Sequence, residues 1–305
     1  MRQVIPALVL SFAAMSAQAA SPGTAEDFRV VFDFKGLLKV PNVGVQLRQA
    51  METAMQPQMR QQLKAAGVDL FTTLETVEMR GHLDANRPDP RHVVMLARGR
   101  FKKAAANKML ARDQKTLKAK KVGAHTLWLD PQGQGMVILD DRHLLAGHEI
   151  GMRAQMKRGL KTMPLPSFLR GAHLALHLGI PAAVRAQVRQ RDPQNPTSDI
   201  EKVMARATMT SKRDLELKVQ IRCTAPAAAQ GLSMMVSMAV SNMTTQAPPP
   251  IARALRSLVL RPQGKVLGMS LALSEAELQA LTTMAQQMAS QQSGQRLPAA
   301  PPTKR

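Results

Sequence analysis

The chain has 305 residues, 45% of them hydrophobic, which is enough apolar material for one large domain or two of ordinary size. Its 42 Lys and Arg against 21 Asp and Glu give a formal net charge of +21, which favours anionic partners. One Cys excludes an intramolecular disulfide, and 3% aromatic residues, with one Trp and no Tyr, argue against an aromatic stacking platform for single-stranded nucleic acid or sugars.

The first 19 residues have the organisation of a cleavable secretory signal peptide. Arg2 supplies a positive charge, an apolar run over 4–15 follows it, and small residues then predict cleavage after Ala19. The apolar run is shorter than the roughly 20 residues that a membrane span needs. We therefore expect a periplasmic or secreted protein with no integral membrane segment after cleavage.

Hydrophobic periodicity and turn residues predict alternating strands and helices along the rest of the chain. In the first half we predict a turn over 36–41, strands over 28–34, 73–83, 92–100, 123–129, 135–139 and 143–146, and helices over 43–66, 101–114 and 148–160. In the second half we predict strands over 172–180, 200–210, 215–223, 258–261 and 265–273, and helices over 181–191, 225–243, 251–257 and 274–289, the last opened by a capping box of Ser274 and Glu277.

Both halves follow the order strand, helix, hairpin, helix, hairpin, helix. In this alignment residues 75–79 correspond to 201–205, and residues 127–133 correspond to 259–264. We therefore predict an α+β fold with an internal duplication, a two-layer antiparallel sheet with helices on one face. The expected divisions are a signal peptide, two α+β repeats and a disordered tail rich in Gln, Pro and Ala, over 1–19, 20–163, 164–289 and 290–305.

Two segments, VVMLARGRF at 93–101 and VILDDRHLLAG at 137–147, resemble a loose group of exported bacterial α+β proteins. In that group, as here, the first segment is a strand that runs into a helix and the second is a strand, a turn and a strand. The resemblance extends over most of the mature chain and implies its architecture. It implies no activity, because none is established for the group.

The densest run of charge lies between residues 98 and 121, where the only acid is Asp113. We predict a helix and an exposed loop here, and therefore a surface that binds polyanions, with an ordinary solvated face as the alternative. The ten basic residues of this candidate site are Arg98, Arg100, Lys102, Lys103, Lys108, Arg112, Lys115, Lys118, Lys120 and Lys121.

The chain contains 21 methionines, and several recur at a helical spacing of four. Thioethers suit Cu(I) and also react with oxidants, whereas a Met stripe on a helix is otherwise typical of a core face. The groups are Met51, Met55 and Met59; Met234 and Met238 with Met235 and Met243 nearby; and Met284 and Met288.

Possible metal ligands cluster within ten residues, at Asp140, Asp141, His143, His148 and Glu149. Their spacing matches no established metal motif, and turn formation and helix capping explain them.

We interpret His173 and His177 as residues on the polar side of a strand. Cys223 ends a strand, which favours a buried, inert thiol. We therefore predict no metal site and no cofactor.

No nucleophile elbow and no Gly-rich phosphate loop is present, and the sequence has no specific nucleic-acid motif. We interpret the protein as a non-enzymatic binder of anionic envelope material, an anionic polymer or lipid surface. The alternatives are copper handling through the methionines and an enzyme whose site the sequence does not reveal.

Overall fold

A computed structural model describes residues 28–40, 43–45, 48, 70–81, 90–112, 117–159, 165–193, 195–210, 214–278 and 280. The predicted signal peptide, most of the predicted helix over 43–66 and the predicted tail lie outside these residues.

The described residues contain twelve strands in one antiparallel sheet, in the order β11-β12-β10-β9-β8-β1-β2-β3-β7-β6-β5-β4. The strands are β1 Phe28–Asp33, β2 Leu74–Gly81, β3 Val94–Gly99, β4 Lys118–Val122, β5 His125–Leu129, β6 Gln134–Ile138, β7 His143–His148, β8 Leu174–Gly179, β9 Ile200–Met209, β10 Leu215–Cys223, β11 Val259–Gln263 and β12 Val266–Leu273.

Helices follow the strands at corresponding points of the two halves. They are α1 Phe34–Lys39, α2 Leu70–Thr73, α3 Lys103–Arg112, α4 Glu149–Arg158, α5 Ala182–Arg191, α6 Pro226–Gln246 and α7 Pro249–Arg256. A further helix begins after the predicted capping box, in which Ser274 N donates to Glu277 Oε2 at 2.7 Å and Glu277 N donates to Ser274 Oγ at 3.4 Å. The α+β fold and the antiparallel sheet are confirmed.

The strand order is symmetric about the pairing of β1 with β8. Outward from this pair, β2, β3, β7 and β6 lie on one side, and β9, β10, β12 and β11 lie on the other. The hairpin of β4 and β5 extends the first side beyond the matching elements. The counterpart of β11 is therefore β6 and not β5, so the alignment of residues 127–133 with 259–264 is wrong by one strand.

Directly paired residues of an antiparallel sheet point to the same face, so the register separates the two faces. One face, which we call the apolar face, carries Val30 of β1 and its partners Met79 and Leu176. The opposite face, which we call the polar face, carries the paired Arg29 and His177. The sheet is therefore amphipathic at its centre.

Helices pack on both faces of the first half. On the apolar face, Ala106 and Leu110 of α3 join a buried cluster that contains Trp128. On the polar face, Met152 of α4 joins a second cluster that contains Leu127. The expectation of helices on one face is wrong here, because consecutive residues of β5 are buried on opposite sides of the sheet.

In the second half, α6 packs on the apolar face through its first turns. Ala229 and Leu232 contact a cluster that includes Ile221 and Leu267. Both α3 and α6 thus lie on the same face of the sheet, as the symmetric strand order requires.

Two local predictions in the first half are wrong. Residues 36–39 of the expected turn belong to helix α1, which starts because Asp33 Oδ1 accepts a hydrogen bond from Gly36 N at 2.9 Å and caps it. The loop expected after α3 contains strand β4, which pairs with β5 and forms one edge of the sheet. Its lysines hide the apolar alternation that usually marks a strand.

We predict that Leu145→Ala destabilises the protein by about 2–5 kcal/mol, because the Leu145 side chain is fully buried and its removal leaves a cavity. Chemical denaturation measures the change. Ile150→Ala, at a 41% exposed residue of α4, serves as the control and should change the free energy of unfolding by less than about 1 kcal/mol. Equal effects of the two substitutions would contradict the described core.

Candidate functional site

The described basic residues of this segment lie in β3, α3 and β4 and in the connection from β3 to α3. Arg98 lies in β3 and is half-buried. Lys103 begins α3, and its ammonium donates to the carbonyl oxygen of Leu139 at 2.9 Å, so it is engaged within the fold. Lys115 and the side chain of Arg112 lie outside the described residues. The exposed members are Arg100, Lys102, Lys108, Lys118, Lys120 and Lys121.

The exposed lysines of β4 do not share one face. Lys118 and Lys120 pair with Leu129 and Leu127, and they therefore point to the polar face. Lys121 points the other way, to the face on which α3 lies. The structure therefore spreads the basic segment from the end of β3 to the edge strand β4, with β7, β6 and β5 between them, and does not gather it into one compact patch.

Lys120 has a partner within the fold. Its ammonium lies 2.8 Å from Glu149 Oε1, and Arg153 Nε donates to the same oxygen at 2.6 Å. The hydrogen bond from Lys120, with a further one from Arg153, holds the pKa of Glu149 below its ordinary value. Lys120 thus links β4 to α4 and contributes less free positive charge than its neighbours in β4.

The cluster of possible metal ligands at 140–149 has structural roles. Burial raises the pKa of Asp140, but hydrogen bonds from His143 and from the backbone of Arg142 outweigh it and leave that pKa below its ordinary value. Asp141 Oδ1 accepts from Lys103 N at 3.0 Å, at the start of α3, and His148 Nδ1 accepts from Ile150 N at 3.2 Å, which caps α4. Within the described residues, no three His, Cys, Asp or Glu side chains are placed to hold a metal.

The two histidines of the second half do not form a pair. His173 precedes β8, and its Nδ1 accepts from Met209 N at 2.9 Å. His177 lies on the polar face, as predicted, with Arg29 as its partner in β1. Burial, helped by the charges of Lys202 and Arg29, lowers the pKa of His177 from its ordinary value.

A buried charge cluster on the polar face was not anticipated from the sequence. Arg80 is 2% exposed, and its Nε lies 2.5 Å from Glu78 Oε1. Arg29 also contacts this carboxylate and donates from Nη2 to Oε2 at 3.1 Å. In the sequence, these charged residues alternate with apolar ones in β1 and β2. The alternation shows that they share one face of the sheet, but it does not show that this face is buried. Buried charges of this kind stay in the fold because each is paired.

Cys223 is almost fully buried and belongs to the core beneath α6. Burial raises the pKa of its thiol, and the nearby carboxylates of Asp199 and Glu201 act in the same direction. The prediction of a buried thiol is therefore confirmed.

The methionines of α6 occupy the surface. Met234 is 67% exposed, Met238 61%, Met243 57% and Met235 45%. The interpretation of this stripe as a core face is wrong, because the buried residues of α6 are Ala229 and Leu232 near its start. The groups at Met51, Met55 and Met59 and at Met284 and Met288 lie outside the described residues.

No protein family matches this chain, and no curated protein matches it. Two solved structures of TP0453 are similar to it. Crystal form III is 10% identical, with 86% of this chain and 96% of the TP0453 chain covered and a TM-score of 0.48. Crystal form IV is 11% identical, with 88% and 98% covered and a TM-score of 0.49. Likeness at this level carries no statement about function.

Among the described helices, none combines the length and the apolar character needed to cross a bilayer.

We predict that His177 makes the fold less stable in mild acid. Because the pKa of His177 is lowered below 6.5 in the folded state, the unfolded chain takes up this proton first, and stability falls as the pH drops below about 6.5. The glutamine of the His177→Gln variant cannot be protonated. The stability of this variant should therefore fall less between about pH 6.5 and 5 than that of the wild type. Denaturant midpoints measured between about pH 5 and 8 test this, and parallel profiles for the two proteins would contradict it.

We predict that Cys223 does not react with a thiol reagent in the native protein and reacts fully in denaturant, because its thiol is buried and its pKa is raised. A colorimetric thiol assay measures both states. Rapid labelling of the native protein would show that Cys223 is accessible.

Proposed function

We propose that this protein is exported and binds anionic polymers of the cell envelope, without catalysis, through the exposed basic residues of the segment 98–121. The observation that carries the proposal is the exposure of six basic side chains within this segment. A formal net charge of +21 supports it, because a surface of this sign raises the local concentration of polyanions.

The placement of these side chains favours an extended ligand over a small anion. Arg100 and Lys102 lie in the connection from β3 to α3, Lys108 lies in α3, and the lysines of β4 point to both sides of the sheet. A small anion cannot contact the groups at the end of β3 and those of β4 together, because three strands lie between β3 and β4. A flexible polymer can extend from the end of β3 to the edge strand β4 and contact several groups in succession, each adding a salt-dependent increment of affinity.

The test compares two variants that lose the same number of charges. The first carries Arg100→Gln, Lys102→Gln, Lys118→Gln and Lys121→Gln, and it spares Lys120 because of its contact with Glu149. The control variant carries Arg191→Gln, Arg256→Gln, Arg261→Gln and Lys265→Gln, which are exposed residues of the second half.

We expect the first variant to bind heparin or lipopolysaccharide at least about tenfold more weakly at physiological salt, and to lose on the order of three units of the slope of log affinity against log salt. The control variant should retain most of its affinity, because its substitutions lie outside the segment. If both variants lost affinity for the polyanion equally, the loss would follow from net charge alone, and the proposal would be overturned. Binding by the wild type that vanishes at physiological salt would overturn it as well.

A further inference from the structure

Helix α6 differs in charge from the rest of the protein. It spans 21 residues, PAAAQGLSMMVSMAVSNMTTQ, and none of them is charged. The whole chain carries 42 Lys and Arg in 305 residues, so a stretch of this length would contain about three if they were evenly spread. Helix α6 therefore contributes no positive charge of its own that would repel a cation.

The exposed large apolar residues of α6 are all methionines. They are Met234, Met235, Met238 and Met243, whereas the large apolar residue that α6 buries is Leu232. Leu, Ile or Phe would serve equally well if only an apolar surface were needed. The recurrence of the thioether points to the chemistry of sulfur.

Three of these methionines occupy one sector of the helix. Met234 and Met238 are four residues apart and Met235 and Met238 are three apart, so Met238 is a surface neighbour of both. At about 100° per residue, the three side chains leave the helix within one arc of about 100°. Met243 is five residues beyond Met238 and leaves the helix about 140° away from it.

We propose that Met234, Met235 and Met238 form a binding site for Cu(I), in which three thioether sulfurs hold the ion. Cu(I) is a soft cation that prefers sulfur ligands, and neutral thioethers bind it without releasing a proton. The long, unbranched side chains of methionine allow the three sulfurs to converge above Met238. This site shares no residue with the basic segment, so the two proposals stand or fall independently.

The test replaces each of the three methionines with leucine. Leucine matches methionine in size, apolarity and helix propensity, so Met234→Leu, Met235→Leu and Met238→Leu remove the sulfur and keep the helix. The control variant carries Met243→Leu and Met95→Leu, which are exposed methionines outside the sector. Circular dichroism establishes that both variants fold.

Cu(I) is kept reduced with ascorbate, without oxygen, and titrated against a chromophoric Cu(I) chelator. We expect the wild type and the control to compete for Cu(I), and the triple variant to lose one equivalent of binding. The same loss should occur in a Cys223→Ala background, which excludes the thiol. X-ray absorption of the wild-type complex should show a shell of sulfur neighbours. Retention of Cu(I) by the triple variant, equal loss in the control, or no competition by the wild type overturns the proposal.

Discussion

The antiparallel pairing of β1 with β8 joins the two halves of the chain into one sheet. These two strands come from different halves of the chain, and their register sets Val30 beside Leu176 and Arg29 beside His177. A slip of one residue would move the apolar side chains to the polar face and the charged ones to the apolar face. Every other strand is added outward from this pair, so its register decides which face each strand residue joins.

The pairing of β1 with β2 brings buried charges together on the polar face. At the centre of the sheet, Arg29 and Arg80 are buried, and both guanidinium groups contact the carboxylate of Glu78. The burial of these charges depends on that contact. Charged residues nearer the periphery pair at the surface, as Lys120 does with Glu149. The central cluster is therefore costly to break, since loss of the carboxylate would leave two buried guanidinium groups facing each other.

Elements with strong periodicity were predictable from the sequence. The strands and helices of the second half follow their patterns closely, from the alternation of leucines in β8 to the capping box at Ser274. Strand β4 was missed because its alternate positions are lysines at an edge, where pairing with β5 and not burial makes the strand. The packing of α4 on the polar face was missed because β5 is buried on both sides, and such a run carries no period.

The candidate sites were predictable in composition but not in placement. The sequence identifies the basic run over 98–121, but only the fold shows that Lys118 and Lys121 lie on opposite faces. The methionine spacing in α6 is equally visible in the sequence. Periodicity shows which residues lie on the same side of a helix, but it does not show whether that side contacts the sheet or the solvent. The fold decides this, because the buried residues of α6, Ala229 and Leu232, lie in its first turns.

An open sheet ends in strands whose outer backbone groups have no partner in the sheet, and these can recruit strands from other molecules. Among the described strands, β4 and β11 hold these positions. Both carry features that oppose such recruitment: lysines in β4, and Arg261 and Pro262 in β11. Repulsion between the lysines of β4 therefore opposes the pairing of this edge with the same edge of a second molecule. A polyanion that neutralised them would also remove this barrier, so that occupancy by the polymer and self-association of the protein would be coupled.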